Sequence, residues 1–207
     1  MSVTQQSSSR PDHREPTLFT AAVLDWHPWL SPLEESELTE EHYEGLVDRA
    51  RAKSPYFMLL ARDPRVLGAR TRSDKDIFYN TVGGLARKER ELAAAAVSRF
   101  NGCIYCASVH ARFSERQGGS PEALAVLLAT GTLPVEATEE WLFVAEVARQ
   151  ISQTPIGFSA VHVRALRQVG FDDAEILDLI NASSFFNWAN RLMLSLGYPT
   201  LPVEKQG

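Results

Sequence analysis

Residues 89–113 read ERELAAAAVSRFNGCIYCASVHARF, two runs of helix-forming residues broken at Asn101-Gly102. Alanine, leucine and long straight side chains lose little on entering a helix, so the first run is predicted helical over 86–100. An Asn-Gly pair accepts the backbone geometry that ends such a helix. The second run resumes at once, and a helix over 103–117 is predicted to fold back on the first as a hairpin. This stretch also holds both cysteines of the 207-residue chain, Cys103 and Cys106, with His110 four residues further on.

The sequence on either side is punctuated in the same way. LTEEHYEGLVDRARAK (38–53) has helical spacing and stops before Ser54-Pro55, and the next segment opens at Pro64 and closes on Gly83-Gly84. Ser120-Pro121 offers a cap and a first-turn proline for EALAVLLAT, and amphipathic helices are predicted over 138–152 and 159–170. Asp172 and Glu175 form a capping-box pattern opening a long helix to about Leu196. No stretch alternates as a strand should, so the predicted fold class is all-α, a multi-helix bundle. Residues 1–16 read as a disordered polar tail and 17–207 as a single all-α domain. Within it, 76–130 carries the cysteine motif and 131–198 the C-terminal helices.

Composition excludes several function classes. At 44% hydrophobic the chain can bury a substantial core. The net charge is -5 with no basic run, which argues against sequence-independent nucleic-acid binding. No apolar stretch approaches the roughly 20 residues of a membrane span. The polar N-terminus has no secretory core, so a cytoplasmic protein is expected. In a reducing compartment a lone Cys-x-x-Cys pair is more often catalytic or metal-binding than a structural staple.

Residues three, four and seven apart share a helix face, so Cys103, Cys106 and His110 form one stripe. The unpaired N–H groups at a helix start favour thiolate over thiol. That argument favours Cys103 as nucleophile, whereas proximity to His110 favours Cys106. Antiparallel folding sets residue 110 opposite 93, which brings Glu91 within about one turn of His110 and leaves it farther from Cys106. The expected arrangement is a relay from Glu91 to His110 to Cys106. Glu89 competes with Glu91 but falls further from that level, where the helix dipole and neighbouring charges explain it. Two other readings stand beside this one: ordinary buried cysteines, or a strained zinc site built from Cys103, Cys106, His110 and Glu91.

Glu91, eleven residues, then Cys103-x-x-Cys106-x-x-x-His110 resembles the signature of the alkyl hydroperoxidase D-like proteins of the carboxymuconolactone decarboxylase superfamily, peroxidase-related branch. The resemblance spans 76–130, and FFNWANRL (185–192) is similar to the Asn-rich C-terminal helix of that branch. It implies an orthogonal helical bundle without a cofactor, assembled as a homo-oligomer, commonly a trimer or hexamer. It also implies a peroxidatic Cys106, a resolving Cys103 and a proton relay through Glu91 and His110. A small hydroperoxide would be the substrate and an external dithiol the reductant. The best-known peroxidases of the family carry a second histidine where this chain has Tyr105, whose phenol is a poor base at neutral pH but can donate a hydrogen bond. A non-enzymatic redox sensor is the alternative from another class. Lactone decarboxylation is the alternative within the superfamily, although members with that activity generally lack the paired cysteines.

The remaining features are read more blandly. Trp26, Pro28 and Trp29 form an aromatic knot suited to core packing, an active-site entrance or a subunit contact. His27 reads as a surface histidine and His162 as a partly buried structural one, while His13 and His42 carry no signal. In the last helix Ile176, Ile180, Ser183, Asn187, Asn190 and Leu194 share a stripe with a polar middle. Asn187 and Asn190 could line the peroxide site or join helices. With Phe185, Phe186 and Trp188 on the flanking faces, this helix is expected to be buried nearly all round, which would call for a second subunit.

Overall fold

The structure, a computed structural model, describes residues 14–202. His13 and most of the tail expected over 1–16 therefore lie outside the described residues. At the centre is the alanine-rich helix α4 (Arg87–Phe100), in which Leu92, Ala93, Ala94, Ala95 and Val97 are fully buried. Short side chains let three helices approach it at once: α5 (Ile104–Arg116), α7 (Glu139–Ser152) and α9 (Asp173–Leu194). The turn into α5 passes through Gly102 at φ +82°, a left-handed conformation that glycine adopts without steric cost.

The local signals place most boundaries. Ser120 caps α6 (Pro121–Thr130) through the Ala123 N–H, Thr138 caps α7 through the Trp141 N–H, and Asp172 caps α9 through the Glu175 N–H. In front of α8 (Ala160–Gln168) the Ser159 N–H donates to His162 Nδ1 at 3.1 Å, and His162 also stacks on Phe158, so this histidine is structural. His42 likewise accepts the Thr39 N–H, at 3.0 Å, ahead of α1 (Glu40–Leu46).

Three expectations need correction. The helix predicted over 38–53 stops at Leu46 because Val47 turns to φ 66°, and a 3-10 turn follows over Arg49–Lys53. The Asp48 side chain accepts the Ala50 N–H at 2.9 Å, the local competition that makes aspartate a helix breaker. Pro55, read as a stop, instead opens α2 (Pro55–Leu60), ahead of α3 (Pro64–Tyr79). Two short strands also exist: β1 (Asp25–Pro28) pairs antiparallel with β2 (Gly197–Thr200), with Trp26 opposite Pro199 and His27 opposite Tyr198. Just beyond this pairing the Leu201 N–H donates to the Arg14 carbonyl at 2.9 Å.

The aromatic knot divides. Trp26 is buried and meets Tyr56 edge-on at 5.4 Å, whereas Trp29 is exposed. Within one chain the described residues do not cover α9 all round: Phe186 is buried, but Trp188 is 43% and Leu177 56% exposed. Among the described residues no helix is long and apolar enough to cross a membrane.

Candidate active site

Glu91 sits in the first half of α4, where the hairpin brings it level with His110 of α5. Its Oε2 lies 2.6 Å from His110 Nδ1, and its Oε1 accepts the Arg87 Nε–H at 3.2 Å, one helical turn away. Glu91 is 1% exposed, and among the described residues these two are the side chains that meet its carboxylate. An ionised acceptor at Nδ1 keeps the proton on that nitrogen and leaves Nε2 for other chemistry. Rings fix the imidazole in place: Phe186 at 4.1 Å and Phe78 at 5.5 Å between centroids, and Phe113 edge-on at 6.1 Å.

Cys103 is the residue capping α5, one position earlier than the first-turn placement expected from the sequence. Its sulfur lies 2.7 Å from that of Cys106, both thiols being free and buried. Rotation of either side chain brings the pair within reach of a disulfide of about 2.05 Å. A cavity of about 280 Å³ opens between α3, α5 and α9. Cys106 borders it together with His110, Glu91 and Tyr105, whereas Cys103 lies behind. Its walls are largely aromatic, from Phe57, Phe78, Phe113 and Phe186.

The Cys106 thiol is pushed well up from its ordinary range, first by the hydrogen bond with Cys103 and then by burial; a hydrogen bond from Asn190 and the charge of Arg70 oppose this. Two sulfurs so close share one ionisation, since an anion on one holds the proton on the other. Among the described residues no hydrogen bond joins His110 to Cys106, and both border the cavity. Burial, followed by the Cys106 charge, raises the Tyr105 phenol, which keeps it a hydrogen-bond donor.

Of the other expected residues, Tyr105 borders the cavity but Asn187 and Asn190 do not. Asn101 Nδ2 donates to Asn187 Oδ1 at 3.0 Å and to Asn190 Oδ1 at 3.2 Å. Asn187 in turn donates to Ser152 Oγ and Asn190 to Ser98 Oγ, both at 3.0 Å. The polar middle of α9 thus ties the turn before Cys103 to α4, α7 and α9, and touches the site only where Asn190 reaches Cys106 from behind. Glu89 accepts the Trp141 Nε1–H at 3.1 Å and lies 3.3 Å from Lys88 Nζ, which gives it a packing role. A Trp141→Phe protein is expected to lose about 1–3 kcal/mol of stability in urea titration, because a buried carboxylate oxygen then loses its donor. Among the described residues no three His, Cys, Asp or Glu side chains converge to hold a metal ion.

Sequence reasoning missed Tyr56, Arg70 and Asp74, all of which border the cavity. The i,i+4 pair Arg70–Asp74, with Nη1 to Oδ2 at 3.2 Å, was the available signal. Nothing local said which way that face of α3 points. Tyr56 is buried, and its phenol is raised far above the ordinary range mainly by that burial.

No curated protein matches the sequence. The fold is similar to that of a peroxidase-related protein from Silicibacter sp. TM1040, at 22% identity and TM-score 0.69 over 84% of this chain and 92% of that one. It is also similar to an alkylhydroperoxidase AhpD core protein from Ralstonia eutropha JMP134, at 20% identity and TM-score 0.68 over 84% and 90% of the two chains. A third similar structure is the debrominase Bmp8, at 15% identity and TM-score 0.65 over 81% and 89%. Residues 64–150, which contain Glu91, Cys103, Cys106 and His110, match the carboxymuconolactone decarboxylase family. The stretch that carries the cysteine motif is thus similar to that family, within a fold similar to those of the peroxidase-related and AhpD core proteins.

Proposed function

We propose that the protein is a thiol-dependent hydroperoxide reductase in which Cys106 is the peroxidatic residue and Cys103 the resolving one. The observation that carries this reading is the unequal placement of two sulfurs 2.7 Å apart: only Cys106 borders the cavity shared with the Glu91–His110 pair. A hydroperoxide in the cavity meets one sulfur, and the other waits behind it. The Cys106 thiolate attacks the distal oxygen, the O–O bond breaks, and sulfur is oxidised to sulfenic acid. The proton lost by the Cys106 thiol passes to His110, which Glu91 orients, and returns from there to the departing alkoxide. Cys103 then attacks the sulfenic sulfur, water leaves, and a disulfide closes before further oxidation. An external dithiol restores both thiols through a mixed disulfide. A homo-oligomer in a reducing cytoplasm belongs to the same reading; the exposed Leu177 and Trp188 on α9 offer a contact surface, and a free dithiol suits that compartment.

The aromatic walls would also admit a flat halogenated ring, the kind of molecule named in the complex of the debrominase with 2,3,4-tribromopyrrole. Bromide release measured beside hydroperoxide consumption separates the two substrates. The roles of the two cysteines are tested by trapping sulfenic acid in Cys103→Ser and Cys106→Ser proteins after one equivalent of hydroperoxide. Label is expected on Cys106 when Cys103 is absent. Label found only on Cys103 would reverse the assignment.

A further inference from the structure

The hydroperoxide reading leaves one requirement unmet: something must let a buried Cys106 ionise. The groups around its sulfur are mostly unhelpful. On its own helix stand Cys103, Tyr105 and His110, and His110 is engaged with Glu91 of α4. From α2 comes Tyr56, neutral and buried. The nearby face of α9 offers neutral Asn190, and the described side chains of α6 bring no cation. Arg51, on the cavity rim, is spent on the Leu46 carbonyl at 3.2 Å and on the ring of Phe57.

Arg70 is different. Its side chain is only 9% exposed, it borders the same cavity as Cys106, and the rings of Phe57 and Phe185 lie 5.5 and 5.4 Å from its guanidinium carbon. Asp74 Oδ2 stands 3.2 Å from Nη1 without hydrogen-bonding geometry, so Nε and Nη1 have no hydrogen-bond partner. Asp74 supplies a counter-charge but takes up neither idle donor in a hydrogen bond, which leaves them for an acceptor on the cavity they share with Cys106. The acceptor appears when the thiol loses its proton.

We propose that Arg70 is the positioning residue for the charge of this site: its guanidinium, aligned by Asp74 and walled by Phe57 and Phe185, holds Cys106 as the thiolate that attacks. This rests on the peroxidatic role of Cys106, but it concerns the ionisation of the sulfur and can be read without turnover. The electrostatics agree in sign, since Arg70 favours the charged form of Cys106.

The test is the pH dependence of Cys106 alkylation by iodoacetamide in a Cys103→Ser background, which removes the coupled thiol. Arg70→Gln is expected to raise the midpoint by about one unit, a tenfold loss of thiolate at a fixed pH below it. Arg70→Lys should keep most of the wild-type midpoint. Asp74→Asn, which frees Arg70 from its counter-charge, should lower it. An upward shift in the glutamine protein cannot come from loosened structure, because exposing Cys106 would relieve the burial that raises its thiol; the asparagine arm is read in protein whose denaturation midpoint matches wild type. Unchanged midpoints in the Arg70→Gln and Asp74→Asn proteins overturn the proposal. Hydroperoxide consumption is measured in parallel with both cysteines present. Shifted midpoints without consumption would sink the peroxidase reading and leave the role of Arg70 intact; consumption without shifts would do the reverse.

Discussion

Glu91→Gln protein is expected to consume hydroperoxide about 10²- to 10³-fold more slowly than wild type, within the range that positioned proton transfer contributes. Glutamine nearly matches glutamate in shape and can still accept from His110 Nδ1, so the cavity walls stay as they are. What disappears is the charge. The His110 ring loses the carboxylate 2.6 Å away, and Arg87 loses the same partner. Positive charge that develops on the ring while a proton passes to the departing oxygen is then uncompensated. The deficit should fall on kcat and on kcat/KM together, because what is lost is charge compensation needed only while the proton moves. Stopped-flow measurement of the first turnover checks this without involving the reductant. Rates within twofold of wild type would remove Glu91 from the proton path.

Leu92→Ala should be the most costly single truncation in the central helix. Leu92 is fully buried on α4, next to the catalytic candidate Glu91 but on another face, between helices that have no room to close in. Removing a leucine side chain from such a place costs about 2–5 kcal/mol, the upper end applying where the cavity cannot collapse. For a chain of this size that corresponds to a drop in Tm of roughly 2–4 °C per kcal/mol. Denaturant titration should show a lower midpoint with an unchanged slope. A loss under about 1 kcal/mol would mean that α4 is less tightly enclosed than its burial indicates.

The hairpin explains why the central part of the site could be read from the residues. Two adjacent helices joined by Asn101-Gly102 have only one way to lie against each other, so counting outward from the turn pairs residue 91 with the level of 110. The partner of His110 and the common stripe of Cys103, Cys106 and His110 are therefore local facts. Arg70 and Tyr56 belong to helices that reach the cysteines only through tertiary docking, which leaves no trace in spacing. The alanine run was legible as helix propensity, whereas its larger role is to let α5, α7 and α9 come close, and neighbours are invisible in a propensity. Four-residue strands containing Pro28 and Pro199 are too short to register as an alternation. Asp48 and Val47 broke a helix by one side-chain bond and one backbone angle, details that apolar periodicity overlooks.

The antiparallel pairing of β1 with β2 fastens the two ends of the described chain side by side, 25–28 against 197–200. Because Trp26 in β1 leans on Tyr56, and Tyr56 borders the cavity, this clasp also braces one wall of the pocket. Trimming either end back into its strand would unfasten the other and loosen that wall. Joining the two ends through a short linker and reopening the chain elsewhere would leave the brace untouched.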